Sequence, residues 1–197
     1  MTGLRRTLVF LGILVLSGVA AQEVTAGQIS DQLGARIDRV VGILQDPVLK
    51  VRPPARRVAL RDAAIEIFDF AEITRRALGR HWQTATSAER DELVQLLTAL
   101  LERAYLGRLE QYSGETIAVL GEALDGDLAT VRTRLVGKSG VETPIDYRLH
   151  RAGERWLVYD VSVEGVSLVA NYRAQFNAIL RDSSPQALVT RLRARQE

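Results

Sequence analysis

Apolar residues recur at three- and four-residue intervals through the first half of the chain and at every second position after it, a pattern that puts helices before a sheet. From Ile29, the positions Leu33, Ile37, Val40, Val41 and Leu44 predict an amphipathic helix that Asp46-Pro47 stops. Arg52-Pro53-Pro54 reads as a linker. A second helical stretch begins near Ala55 and carries Val58, Ala63, Ile67 and Phe68. Phe70, Ile73, Ala77 and Leu78 then form another face, ending at Gly79 as a C-terminal cap. Thr86 and Glu89 have capping-box spacing and open a long helix through Leu93, Leu96, Leu97, Leu100, Leu101, Ala104 and Tyr105, closed by Gly114.

After Gly114 the period shortens to two. Ile117 and Val119, then Val131, Thr133 and Leu135, then Ile145, Tyr147 and Leu149, then Leu157, Tyr159, Val161 and Val163 predict four strands. The turn-rich pieces between them, Asp125-Gly126-Asp127, Gly137 to Gly140 and Ala152-Gly153-Glu154, make neighbouring strands pair as hairpins. Glu164-Gly165 ends the last strand. Helical spacing resumes at Val169, Tyr172, Phe176, Ile179 and Leu180, and Ser183-Ser184-Pro185 separates this helix from a short terminal one. The expectation is an α+β fold with N-terminal helices, a four-stranded antiparallel curved sheet and C-terminal helices. Such a sheet needs a cover for its apolar face. If it curves strongly, sheet and helices enclose either a packed core or a cavity, and the pattern alone does not choose between them.

The first residues change the charge argument. Arg5 and Arg6 precede an apolar run from Leu8 to Leu16, with small residues at Ser17, Gly18, Ala20 and Ala21. This is a secretory leader, residues 1–21, with cleavage expected near Ala20 or Ala21. The run falls short of the roughly 20 residues a spanning helix needs. RRTLV also resembles a twin-arginine signal, so the export route stays open between the two systems. The chain has 26 Lys plus Arg, of which two leave with the leader, against 24 Asp plus Glu. A near-neutral mature chain with interspersed charges argues against nucleic-acid binding. There is no cysteine, so packing alone must hold the exported protein, expected to be one domain over residues 22–197.

Catalytic signals are sparse. His81 and His150 are the only histidines and neither has a ligand cluster beside it in sequence, so no metal is expected. Asp146 beside Tyr147 and Tyr159 beside Asp160 supply the residue types of a carboxylate and phenol site. Adjacent strand residues face opposite sides, however, so neither pair converges directly.

Four segments in sequence carry a resemblance: FDFAEITRRALGRHW from Phe68 to Trp82, the helix through Leu100-Leu101 to Tyr105 and Tyr112, the strand Ile145-Asp146-Tyr147, and YDVSVEGVSLVANYRAQF from Tyr159 to Phe176. Together they resemble the MlaC family of periplasmic lipid carriers, whose members include toluene-tolerance proteins. The resemblance implies an NTF2-like cone with added helices and no catalytic residues or cofactor. It implies a glycerophospholipid as cargo, shuttled between an outer-membrane lipoprotein and porin complex and an inner-membrane ABC transporter bearing MCE domains. A monomer suits such a shuttle.

By itself the odd-numbered strand face reads as ordinary core. With the resemblance it reads as a cavity wall of Val131, Leu135, Ile145, Tyr147, Leu157, Tyr159 and Val161, joined by Tyr105, Val169, Tyr172 and Phe176 from helices. Arg173 is the candidate for a lipid phosphate, with an ion pair to Glu164 or Asp160 as the plain alternative. The same wall also allows a hopanoid or other lipid cargo, an NTF2-like enzyme, or a cargo-free adaptor with a filled core.

Overall fold

The computed structural model describes residues 27–109 and 111–195; the expected leader lies outside them. Helix α1 spans Gln28–Gln45, as its periodicity predicts. Asp46 does more than stop it: the carboxylate accepts from the N–H groups of Val48 and Leu49 and caps a one-turn helix α2, Pro47–Lys50. The proline pair is likewise a beginning and not a linker. Pro53 is the first residue of α3, Pro53–Ile67, where a missing N–H costs nothing.

Phe68 and Asp69 break the helical run. Asp69 caps α4, Phe70–Leu78, by accepting from the Glu72 N–H at 2.8 Å. α5 is one turn, His81–Thr84. The capping box forms reciprocally before α6, Ser87–Leu109: the Thr86 N–H donates to Glu89 at 2.7 Å and the Glu89 N–H to Thr86 Oγ1 at 3.2 Å. The helix stops short of Gly114.

The strands are β1, Thr116–Asp125, β2, Leu128–Val136, β3, Glu142–Ala152, and β4, Arg155–Val163, in one antiparallel meander. A fifth strand, Val166–Ser167 (β5), pairs with the end of β4. Glu164-Gly165 therefore turns a hairpin where the pattern predicts only an end, with both residues at positive φ, 52° and 81°. That geometry is the type I′ turn, which follows strand twist. Register shifts at Val119/Gly121 and Arg148/Leu149 mark bulges that bend the sheet. β5 feeds α7, Leu168–Leu180, and Ser184 caps α8, Pro185–Ala194. The α+β arrangement holds, with five strands in place of four.

Two apolar clusters hold the chain. One lies between the sheet and helices α1 and α3: Ile29, Leu33 and Ile67 meet Ala129, Val131, Tyr147, Leu149, Trp156 and Val158. The other is wholly helical and joins α4, α6, α7 and α8 through residues such as Leu78, Leu97, Phe176 and Leu188. Phe68 packs against both. Its backbone makes a single parallel bridge to Val158, and the Asp69 N–H donates to the Val158 carbonyl at 2.9 Å. The α3–α4 break thus covers part of the β4 edge and ties the clusters together.

Candidate functional site

Cross-strand pairing fixes which side chains share the inner face of the sheet. Ala129 pairs with Leu149, Val131 with Tyr147 and Leu135 with Thr143; on the other side of β3, Leu149 pairs with Val158, Tyr147 with Val161 and Ile145 with Val163. Val131, Leu135, Ile145, Tyr147 and Val161 therefore lie together on the face that α1 covers, as the period-two pattern predicts.

Leu157 and Tyr159 do not belong to that face. Asp160 pairs with Arg148 but Val158 pairs with Leu149, so Tyr159 is the extra residue of a bulge. Before it the inward residues of β4 are Trp156 and Val158, and after it Val161. Leu157 pairs with His150 on the reverse side, and the Tyr159 ring stands edge-on to His150 at 6.1 Å with the Arg76 guanidinium 3.7 Å above it. His150 Nε2 reaches Asp69 Oδ2 at 2.9 Å, completing a polar cluster between β3 and α4. The odd-numbered reading of β4 is thus corrected by one residue, because a bulge reverses parity.

Burial along the inner face is graded. Near the Gly126 and Gly153 turns Val131 and Val158 are fully buried and Trp156 is 3% exposed; toward the other end Leu135, Ile145 and Val161 are half-buried, and Val163 is 42% exposed. Tyr147 sits between these zones. It is 9% exposed, burial pushes its pKa up to about 12, and its hydroxyl has no hydrogen-bond partner among the described residues. The hydroxyl is not sealed from solvent, since among the described residues the one fully buried side-chain polar atom without a partner is Arg56 Nε; cargo that displaces water there must offer an acceptor.

The helical candidates separate. Val169 and Phe176 are buried in the helical cluster and Tyr172 packs against its edge, 5.8 Å from the Phe176 ring. Tyr105 is exposed on α6, with Arg108 over its ring at 5.8 Å. Arg173 pairs with neither Glu164 nor Asp160. Its Nε donates to the Arg76 carbonyl at 2.8 Å, at the C-terminal end of α4, and its side chain crosses Gly79.

Asp160 is 3% exposed and fully occupied. It accepts from Ser167 Oγ at 2.6 Å and from the Val169 N–H at 3.0 Å, and faces Arg148 at 3.3 Å. It anchors the first turn of α7 to β4. Asp146 pairs with Ser162, on the face opposite Tyr147.

The residues that sequence reading missed are Trp156, Val158 and Leu149 on the sheet, and Ile29, Leu33 and Ile67 above it. The helical ones were already visible as the apolar stripes of α1 and α3. Nothing in the pattern joined those stripes to this particular face.

Residues 35–194 match the family model described as MlaC protein. The chain belongs to the MlaC family. The MlaC match includes all twelve candidate positions and leaves out about the first two turns of α1. Among relatives, the chain is 23% identical over 149 residues to the intermembrane phospholipid transport system binding protein MlaC of Haemophilus influenzae, spanning 73% of this chain and 70% of that one. It is 28% identical over 98 residues to toluene tolerance protein ttg2D of Pseudomonas putida, spanning 49% of this chain and 46% of that one. Among solved structures, a phospholipid-binding protein from Ralstonia solanacearum in complex with a phospholipid superposes with a TM-score of 0.76 at 27% identity, covering 85% of this chain and 96% of that one.

Proposed function

We propose that residues 22–197 form a periplasmic carrier that takes a glycerophospholipid and moves it between an outer-membrane lipoprotein and porin complex and an inner-membrane ABC transporter with MCE domains. Family membership supports the reading, as do a relative named for intermembrane phospholipid transport and a similar structure that holds a phospholipid. The observation on this chain that carries it is Tyr147. Its hydroxyl lies at the boundary between a sealed apolar zone and a partly open one, with no protein partner among the described residues and with access to solvent that a bound lipid would replace.

A diacyl lipid answers both features. Its tails suit the apolar face of Leu135, Ile145 and Val161, and its ester carbonyls are acceptors at the depth of a phenol. Each buried methylene is worth about 0.8 kcal/mol, so shielding the tails removes the main barrier to crossing water. The same burial opposes release, so exchange requires the open end to widen at a partner. Bare hydrocarbon cargo would displace water from the Tyr147 hydroxyl and leave it unsatisfied, which favours a lipid that carries an acceptor at that depth.

A carrier also fits the carboxylates better than an enzyme does, because Asp160 serves the backbone of α7 and Asp146 faces away from Tyr147. The lipid-stripped mature protein, mixed with phosphatidylethanolamine vesicles and separated from them, should leave with bound lipid. Tyr147→Phe should retain severalfold less while melting at the same temperature. A protein that takes up no lipid contradicts the carrier; equal retention by the Phe variant removes Tyr147 from the site.

A further inference from the structure

An open cleft of about 490 Å³ lies on the helical half, away from the sheet, lined by Gly79, Arg80, Arg173, Asn177 and Arg181. Three of its five walls are guanidinium side chains and none is a carboxylate. No ion pair among the described residues involves Arg80, Arg173 or Arg181; the side-chain polar contacts of the three among those residues are the Arg173 bond to the Arg76 carbonyl and a long 3.4 Å approach of Arg80 Nε to His81. Several other arginines are matched, Arg61 with Glu102, Arg75 and Arg76 with Glu72, Arg134 with Glu142, Arg193 with Glu92; unmatched ones such as Arg132 and Arg155 also occur among the described residues, so what sets the cleft apart is three guanidinium groups around one concavity.

The cleft is also built. Gly79, at φ +55°, turns the chain out of α4, and a Cβ there would lie 3.9 Å from Arg173 Cδ. The glycine therefore leaves room for Arg173 to lie across it. Bonding Nε to the carbonyl end of α4 holds that side chain at the cleft wall and leaves its two terminal amino groups without a protein partner among the described residues. Arg173, Asn177 and Arg181 follow at intervals of four on α7, a row about 12 Å long with about 6 Å between neighbours.

We propose that this cleft is a docking groove for an acidic segment of a partner protein, extended along α7, with Arg80 facing it from the opposite wall. Carboxylates at alternate positions of an extended chain stand about 6.7 Å apart, close to the spacing of the row, so that the outer two of three meet the guanidinium forks of Arg173 and Arg181 and the middle one meets the Asn177 amide. A single phosphate fits less well, since it reaches one or two members of the row. The tails of a lipid fit less well still, because no apolar side chain lines the cleft. The proposal does not rest on the lipid reading of the sheet.

The test uses a fluorescent peptide of about seven residues alternating Glu and Ser, long enough to cover the row, with the whole mature protein. Binding should weaken with salt, be absent for the Lys and Ser analogue, and fall about tenfold in an Arg80→Ala, Arg181→Ala variant, as expected for the loss of two charge-assisted contacts. Those two residues carry the test because Arg173 also caps α4. Arg132→Ala with Arg155→Ala, two exposed arginines on the sheet, should change binding less than twofold. Equal loss in both double variants, or none in the first, overturns the proposal. So does binding to vesicles of phosphatidylglycerol in preference to the peptide, which assigns the cleft to a membrane surface. Displacement of the peptide by inorganic phosphate at physiological salt assigns it to a small anion and overturns it equally. Bound lipid measured on the same variants should be unchanged, which separates failure here from failure of the carrier reading.

Discussion

Glu122 shows how a single side chain joins layers far apart in sequence. Its carboxylate accepts from the N–H groups of Gly27 and Ser30, each at 2.7 Å, and so caps α1 from β1. Burial works to raise its pKa, but the backbone donors of Ser30 and Gly27 outweigh it and hold the carboxyl below its ordinary value. A depressed carboxyl contributes stability that is complete above the unfolded pKa and fades as pH falls through the folded one. Glu122→Gln should cost about 1 kcal/mol at neutral pH. Thermal melts of the two proteins should converge on acidification, because protonated Glu122 then resembles Gln; a gap independent of pH would contradict this. Glu164 is the reverse case. It is the only non-glycine at positive φ among the described residues, in a turn position that asparagine tolerates. Glu164→Asn should stabilise by roughly 0.5–1 kcal/mol in urea unfolding, and a lower midpoint would show that the glutamate makes a contribution of its own.

At the scale of elements, the inner face of the sheet makes two of its residues behave differently. Val131 is fully buried in the sealed zone, so Val131→Glu should cost more than about 3 kcal/mol and abolish cooperative unfolding before any effect on cargo is read. Val161 is half-buried toward the open end. Val161→Glu should fold, with a circular dichroism spectrum like the parent, yet retain severalfold less lipid; full retention would take the open end out of the site. The strand pattern made most of this legible. β2 and β3 alternate cleanly, so Val131, Leu135, Ile145 and Tyr147 were placed on one face by period alone. β4 could not be read this way, because Trp156, Leu157, Val158 and Tyr159 are apolar in succession and fit either parity. A one-residue bulge then decides the face through pairing with β3, a non-local fact. Helix starts were readable where capping chemistry is local, at Thr86 with Glu89. The stop at Asp46-Pro47 holds, but the single turn that Pro47 opens goes unannounced, and Pro53 opens a helix where a linker is expected, because proline starts a helix as readily as it breaks one.

For the molecule as a whole, the two apolar clusters divide the labour. The helical one, built from α4, α6, α7 and α8, is a closed core that fixes α7 and the arginine row. The one beneath α1 and α3 is fully buried at one end and half-buried at the other. This division explains why the sequence candidates fell into separate places. Val169 and Phe176 have the apolar spacing of a cavity wall but serve the helical core, and only tertiary packing tells the two uses apart. The family resemblance was legible because its segments mark the joints between the clusters: the Phe68-Asp69 break, the Glu164-Gly165 turn and the Asp160 anchor of α7. Carriage of lipid by the inner face is the central claim, and native mass spectrometry of the purified mature protein, followed by lipid extraction, tests it most directly. The account predicts a reproducible mass increment that extraction identifies as glycerophospholipid and that Tyr147→Phe diminishes. A protein that purifies without lipid and stays empty after incubation with vesicles would contradict it.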